Sequence, residues 1–284
     1  MKRKNIMQFL KDNYDHFSKG QQQITNYIIN NYDKAAFMTA AALGQATNVS
    51  ESTVVRFAIR LGYNGYRELQ NDLQKLIKNK LTTIQRLNIS KQDYTSLSQI
   101  ISKTMKRDMS NIKTAIQEID EDAFRQSIEL VLKAKRIYIV GLRSSYFLAG
   151  YLNFYLNFLF DNVKLIEFGP NDIFEQLLKL SSEDVIIVIT YPRYSKKIVE
   201  VSQYAKKKGS KIITITDSLI SPVAQKANVA LIASGDMLSF IDSLVAPMSV
   251  INAFIIALGA EQSNSLNNYF EELESIWEEY NIYD

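Results

Sequence analysis

No cysteine occurs anywhere in the 284 residues. Disulfides, thiolate metal sites and cysteine nucleophiles are therefore excluded. Histidine is almost as scarce, with His16 the only one. Zinc enzymes and Ser-His-Asp hydrolases both need imidazole beside their other groups, and a lone histidine near the N-terminus argues against both. The sequence therefore predicts no metal, no cofactor and no catalytic residue. Long apolar runs are also missing. Val245 to Ala260 is the most apolar stretch, but it is shorter than a bilayer span requires and is interrupted by Pro247 and Asn252. The basic opening MKRKNIMQFLKDNYDHFSKG has no apolar core of the signal-peptide kind. Charged residues make up 22% with no biased tract, which excludes a disordered chain. A cytoplasmic globular protein with no membrane partner is expected.

What is present divides unevenly. With 46% hydrophobic residues the chain can bury a large core, as one large domain or two smaller ones. Net charge is only +3, yet residues 1–80 hold twelve Lys plus Arg against six Asp plus Glu, while residues 264–284 hold six acids and no base. A basic head and an acidic tail point to a polyanion that meets the head alone.

The head reads as short helices. Ser18 and Gln21 have capping-box spacing, and Ile24, Tyr27 and Ile28 follow at helical intervals. Further helices are predicted at about Thr39–Ala46, Glu51–Leu61 and Gly65–Lys78, with Ser50 as N-cap of the second and Gly62 as its stop. Lys80 to Tyr94 is polar and reads as a linker. Thr95 to Lys135 reads as two helices parted at Asp120, which can cap the second. The pattern then changes. β-rich runs at Arg136–Val140, Val163–Glu167, Asp184–Thr190, Lys211–Thr216 and Val229–Ala233 are separated mostly by helical stretches, Ser144–Phe160, Asp172–Leu180 and Ser195–Lys208. This alternation predicts a five-stranded parallel sheet with helices on both faces, and the nearly all-apolar strands agree. A long helix from about Phe240 to Ala260 and an acidic final helix, Leu266 to Tyr280, close the chain. The apolar Leu266, Phe270, Leu273, Ile276 and Trp277 predict that this last helix packs on the body.

Two segments carry chemistry. In MTAAALGQATNVSESTVVRFAIRLGY, Met38 to Tyr63, two helices flank a turn in which Asn48 can take the left-handed conformation. Val54, Ala58 and Leu61 can form a core with Leu43, Ala46 and Val49. Ser52, Arg56 and Arg60 share another face, with Thr53 beside them. Arginines read guanine or clamp phosphate, and hydroxyls and helix-terminal N–H groups bind the DNA backbone. Such a stripe fits a recognition helix, and it also fits a small bundle whose arginines are merely solvated. In NVSESTVVRFAIRLGYNGYRELQNDL the order V-S-x-x-T-[VI]-x-R-[FL], then L-G-[FY], then an aromatic resembles the N-terminal domain of RpiR-family bacterial transcription regulators. Val49, Ser50, Thr53, Arg56, Leu61, Gly62, Tyr63 and Tyr66 match it. The resemblance implies a double-stranded DNA operator as partner, with Asn48, Ser50, Ser52, Thr53, Arg56 and Arg60 as the candidate contact residues.

That family joins such a head to a sugar isomerase (SIS) domain, which residues 110–262 resemble. The expected architecture is thus an all-α helix-turn-helix head at 1–80, a linker and start of a connecting helix at 81–109, an α/β SIS-type domain at 110–262 and an acidic helix at 263–284. Doubly wound sheets bind ligands at the C-terminal ends of their strands. One such end is Gly141-Leu-Arg-Ser-Ser145, where a helix begins and its dipole favours an anion. SIS domains usually have G-x-G-x-S there; Gly141 and Ser145 match, and Arg143 replaces the second glycine. The other is Thr190-Tyr-Pro-Arg-Tyr-Ser195, where S-x-S-G-x-T is usual; Thr190 and Ser195 match, and Pro192 and Arg193 replace the middle serine and glycine. GLRSS paired with PRYS is a recurring variant among RpiR-like regulators, and this sequence resembles that subgroup. The effector-binding candidates are Gly141, Arg143, Ser144, Ser145, Thr190, Arg193, Tyr194 and Ser195. They suit a small anionic effector such as a sugar phosphate. Alternatively Arg143 and Arg193 pair with acids such as Glu167 or Asp172 and the site is structural.

SIS domains also occur in aldose–ketose isomerases, which need a base beside a carbonyl. The body has no histidine, and Glu167 and Glu175 are the nearest carboxylates by sequence. An attached DNA-binding head and two altered loops favour a sensor over that alternative; a partner-binding scaffold is a third reading, supported by nothing beyond the charge of the acidic tail. Operators are usually two-fold symmetric, so a homodimer or homotetramer is expected.

Overall fold

The computed structural model of the protein describes residues 6–77, 82–84, 86–87, 96–167, 169, 172–235 and 239–283. The chain divides into two compact units, Met1–Asp93 and Tyr94–Asp284. The linker expected at Lys80–Tyr94 lies outside the described residues apart from 82–84 and 86–87.

The first unit contains α1 (Ile6–Asp12), α2 (Lys19–Asn30), α3 (Tyr32–Ala35), α4 (Ala40–Ala46), α5 (Glu51–Arg60) and α6 (Tyr66–Ile77). Its helix starts follow the sequence closely. The Ser18 amide donates to Gln21 Oε1 at 3.2 Å, closing the expected capping box. Thr39 and Ser50 accept from the Ala42 and Thr53 amides. α5 ends before Gly62, which has φ 88°, a conformation that costs glycine nothing. Leu43, Val54, Ala58 and Leu61 are buried as expected, whereas Ala46 is exposed and Val49 half-buried. The centre of this core is instead Phe57, fully buried and edge-on to Phe17 at 5.3 Å.

The second unit begins with α7 (Leu97–Glu118) and α8 (Glu121–Leu132). They part at Asp120, whose carboxylate accepts from the Asp122 and Ala123 amides at 3.0 Å each. The rest alternates: β1 (Ile137–Gly141), α9 (Ser145–Leu159), β2 (Val163–Ile166), α10 (Ile173–Gln176), β3 (Val185–Ile189), α11 (Lys196–Lys207), β4 (Lys211–Thr216), β5 (Val229–Ile232), α12 (Val245–Glu261) and α13 (Ser263–Glu279). All four pairings are parallel, in the order β2-β1-β3-β4-β5. Alternation along the strands separates two apolar layers. Ile137, Ile139, Ile187, Ile189, Ile213 and Ile215 pack with α8, α9 and α12; Tyr138, Val140, Ile186, Val188 and Ile212 pack with α10 and α11. Burial on both faces explains strands with no polar side.

Two expectations need correction. The helix predicted from Phe240 begins at Val245. Pro247 decides this: proline is tolerated in the first turn, where its missing N–H has no helical partner, but a start at 240 would place it in the helix interior. The final helix packs on the body only in part among its described side chains, and Leu266 lies outside them. Phe158 of α9 meets the Tyr269 and Phe270 rings at 6.5 and 6.2 Å, but further along Ile276 is 44% exposed, and Leu273 and Trp277 are half-buried.

Candidate functional site

In the head, α4 and α5 meet across a turn that only particular residues allow. Asn48 has φ 51°, the left-handed conformation expected of it. The Val49 amide donates to the Gly44 carbonyl at 2.9 Å, and a Cβ on Gly44 would stand 2.8 Å from the Val49 carbonyl oxygen. Glycine at 44 was not singled out from the sequence, although its place two residues before the end of α4 offers a signal. The exposed start of α5 holds a knot of hydroxyls: Ser50 Oγ lies 2.9 Å from Ser52 Oγ and 2.8 Å from Thr53 Oγ1. Arg56 is exposed, its Nε donating to the Ser52 carbonyl at 3.3 Å. Asn48, Ser50, Ser52, Thr53 and Arg56 thus gather at the turn and first two turns of α5. Arg60 is held apart from them. Its guanidinium donates to Gln21 Oε1 at 2.7 Å and to the His16 carbonyl at 2.6 Å, with the Phe17 ring centre 5.5 Å away.

In the second unit the two candidate loops leave neighbouring strands. Gly141 ends β1 in register with Ile189, which ends β3. The chain turns to opposite sides of the sheet here, because β1 continues through α9 to β2 while β3 continues to β4 on its other side. This is the topological switch point at which doubly wound sheets open a crevice. α9 starts on one face and α11 on the other, so their N-terminal dipoles bracket the same crevice.

The helix starts themselves are unusual. Thr39, Ser50, Ser96, Asp120 and Asp172 all cap their own helices with a side-chain oxygen. Ser144 and Ser195, the N-caps of α9 and α11, do not, and neither do Asn31 at α3 and Gln262 at α13. The two serine hydroxyls are thus not spent on the helix amides, the usual fate of an N-cap serine. Ser145 and Thr190 are buried just inside the two loops. The Ser145 and Tyr146 amides close back on the Leu142 and Arg143 carbonyls at 3.2 and 3.1 Å. This turn therefore offers fewer free amides than a glycine-rich cradle, and side chains must supply the rest.

Both arginines stand in left-handed backbone, Arg143 at φ 58° and Arg193 at φ 66°. These are the two positions at which the SIS pattern carries glycine. A left-handed backbone conformation of this kind costs a non-glycine residue about 1–2 kcal/mol. The loops therefore keep the glycine geometry while carrying guanidinium groups, and both arginines are exposed. The acids named as possible structural partners, Glu167 and Asp172, each have other contacts, and Arg193 too is engaged. Glu167 Oε1 accepts from the Tyr146 hydroxyl at 2.6 Å. Asp172 Oδ2 lies 3.5 Å from Lys197 Nζ, and the Phe174 amide, first, holds its carboxyl below the usual range. Glu175 Oε2 accepts from the Asp172 amide, closing a capping box. Tyr194 donates to Asp217 Oδ1 at 2.6 Å, and Asp217 at the end of β4 was not foreseen. We expect Arg143→Gly to melt within about 1 kcal/mol of the parent chain, relief of strain offsetting the added unfolded-state entropy. A large loss in thermal denaturation would show that the guanidinium braces the fold.

Among the described residues no group of three or more His, Asp or Glu could hold a metal ion, and no helix is long and apolar enough to cross a membrane. Residues 4–80 match the helix-turn-helix domain of the rpiR family, and residues 130–257 match the SIS domain. The chain is similar to the HTH-type transcriptional regulator HexR of Escherichia coli, 24% identical over 95% of this chain and 94% of that one. In fold, it resembles the sugar isomerase domain of an RpiR transcription factor from Sphaerobacter thermophilus. The TM-score is 0.60 at 21% identity, covering 62% of this chain and 99% of that one. It also resembles the Vibrio vulnificus NanR protein, solved with ManNAc-6P, with TM-score 0.54 at 19% identity, covering 96% of this chain and 99% of that one.

Proposed function

The chain belongs to the RpiR family of transcriptional regulators, an rpiR-type helix-turn-helix domain joined to a SIS domain, and from that premise we propose that it is a cytoplasmic sensor that binds a small anionic metabolite, a phosphosugar above all, and changes its hold on a DNA operator. The observation that carries this reading is the pair of N-cap serines that leave their own helices uncapped, in loops that leave neighbouring strand ends toward the two faces of the sheet. Helix N-termini, uncommitted hydroxyls and two guanidinium groups together make a cationic, hydrogen-bonding pocket for a phosphate. Gly141, Arg143, Ser144, Ser145, Thr190, Arg193, Tyr194 and Ser195 would line it. That NanR was solved with ManNAc-6P supports a phosphosugar. Asn48, Ser50, Ser52, Thr53 and Arg56 would meet the operator, with Arg60 holding α5 against the rest of the head.

Two heads on a two-fold operator require at least a dimer. α7 exposes Leu97, Ile101, Met105, Met109 and Ile116 along 22 residues, an apolar surface that suits a second copy. Effector alters operator affinity only if it binds one arrangement of the dimer more tightly than the other. A thermal-shift panel of sugar phosphates on the full chain tests the sensor. Stabilisation by at least one member is expected, reduced about tenfold in apparent affinity by Ser145→Ala or Ser195→Ala. Equal stabilisation of parent and variants would move the site elsewhere.

A further inference from the structure

The hydroxyl of Tyr191 is the most conspicuous unexplained polar group of the second unit. Tyr191 is only 5% exposed, and its Oη has no hydrogen-bond partner among the described residues. A buried phenol normally finds one. Its position follows from register. Ile189 of β3 pairs with Ile215 of β4, and Tyr191 and Asp217 each lie two residues beyond that pair, past the strand ends, with Tyr191 packed in the apolar layer of α9 and α12. Gly141, in register with Ile189, ends β1 on the other side, with Ser145 directly above it. Three adjacent strand ends thus bring Ser145, Tyr191 and Asp217 to one edge of the sheet, with Ser145 and Tyr191 on the α9 and α12 side.

We propose that Tyr191 contacts the effector, its hydroxyl donating to an oxygen of a polyhydroxylated anion whose phosphate is held by the serines and arginines of the two loops. This assignment rests on the anion site proposed above and adds the part of the ligand beyond the phosphate. Burial first, and the nearby Asp217 and Tyr194 next, push the phenol well above its ordinary pKa, so it stays a neutral donor. Asp217, at the neighbouring strand end, is an acceptor, already taking the Tyr194 and Thr216 hydroxyls at 2.6 and 3.3 Å. A donor next to a carboxylate suits sugar hydroxyls, each of which both donates and accepts. A carboxylate offers bare phosphate nothing. A buried hydroxyl that waits for its partner also discriminates strongly, because an analogue lacking that oxygen leaves it unpaired.

The test uses the full chain and its Tyr191→Phe variant, with glucose 6-phosphate, fructose 6-phosphate, arabinose 5-phosphate and inorganic phosphate as probes in thermal-shift and calorimetric titrations. Tyr191→Phe alone should melt no lower than the parent, since it removes an unpaired hydroxyl and keeps the ring. Its affinity for the stabilising sugar phosphate should fall about tenfold, while any response to inorganic phosphate stays unchanged. A variant that binds the sugar phosphate as tightly as the parent overturns the assignment and leaves the anion site standing. A variant that melts lower with unchanged binding makes the hydroxyl structural and overturns it too. If no probe stabilises the parent chain, the anion-site reading fails and the assignment falls with it.

Discussion

Gly141→Ala should cost the second unit about 3 kcal/mol or more and remove its response to anions. A Cβ at this position would stand 2.3 Å from the Ser145 carbonyl oxygen, 2.8 Å from its carbon and 3.0 Å from Ala149 Cβ. The first two are backbone atoms of the turn that starts α9, and neither can rotate away. Gly141 also pairs in the centre of the sheet with Ile189, so the strand cannot retreat. The remaining way out is for α9 to lift from β1. That would open the contacts that Leu148, Ala149 and Leu152 make with the sheet and displace Ser144 and Ser145 from the crevice. For a unit of this size the melting temperature should fall by about 6–12 °C. Gly150→Ala is the matched control. It lies in α9 itself, with nothing beyond its own stretch of helix within 4 Å of the added methyl, so it should stabilise by up to about 1 kcal/mol. If both variants melt together, strand and helix are not as closely apposed as the structure has them.

Arg56→Ala should weaken operator binding about tenfold or more, with little change in the stability of the head. Its side chain is exposed at the start of α5, beside the Ser50, Ser52 and Thr53 hydroxyls, and holds only the Ser52 carbonyl of its own helix. If it grips phosphate, the salt dependence of binding should shallow by about one unit of slope; if it reads a base, one operator position should lose its preference. Arg60→Ala should behave differently. Its bonds to Gln21 and the His16 carbonyl, and its place over Phe17, tie α5 to the segment before α2. That variant should lower the melting of the head and leave the salt slope nearly unchanged. Fluorescence titrations at several salt concentrations, with melting curves alongside, separate the two arginines. An Arg56→Ala chain that binds as the parent does would remove α5 from the interface.

The two arginines also mark where sequence reading stops. Ser52, Arg56 and Arg60 lie at i, i+4 and i+8, so helical periodicity puts them on one face, and it does so correctly. Periodicity carries no information about which neighbour an exposed guanidinium finds. Gln21 and His16 lie 39 and 44 residues away in sequence, and only packing brings them to Arg60. In the same way Pro247 was visible from the start, but its consequence for the start of α12 depended on asking where in a helix proline is tolerated.

By itself the sequence determined the elements and most of their ends, because caps, glycine stops and strand alternation are local and depend on residues within a few positions of each other. Ser50, Asp120 and Gly62 act where they stand. It also determined the two loops that carry the site, since strand-to-helix turns holding serine and arginine are legible as written. The tertiary structure decided their relation. Strand order is a non-local choice, and only the order β2-β1-β3-β4-β5 places Gly141 beside Ile189 and makes two separate turns the walls of one crevice. It also decided the conformation of Arg143 and Arg193, whose left-handed backbone is held by the strands and helices on either side rather than by any preference of arginine. And it brought Tyr191 and Asp217 to neighbouring strand ends, because only the pairing of β3 with β4 fixes which strand lies alongside.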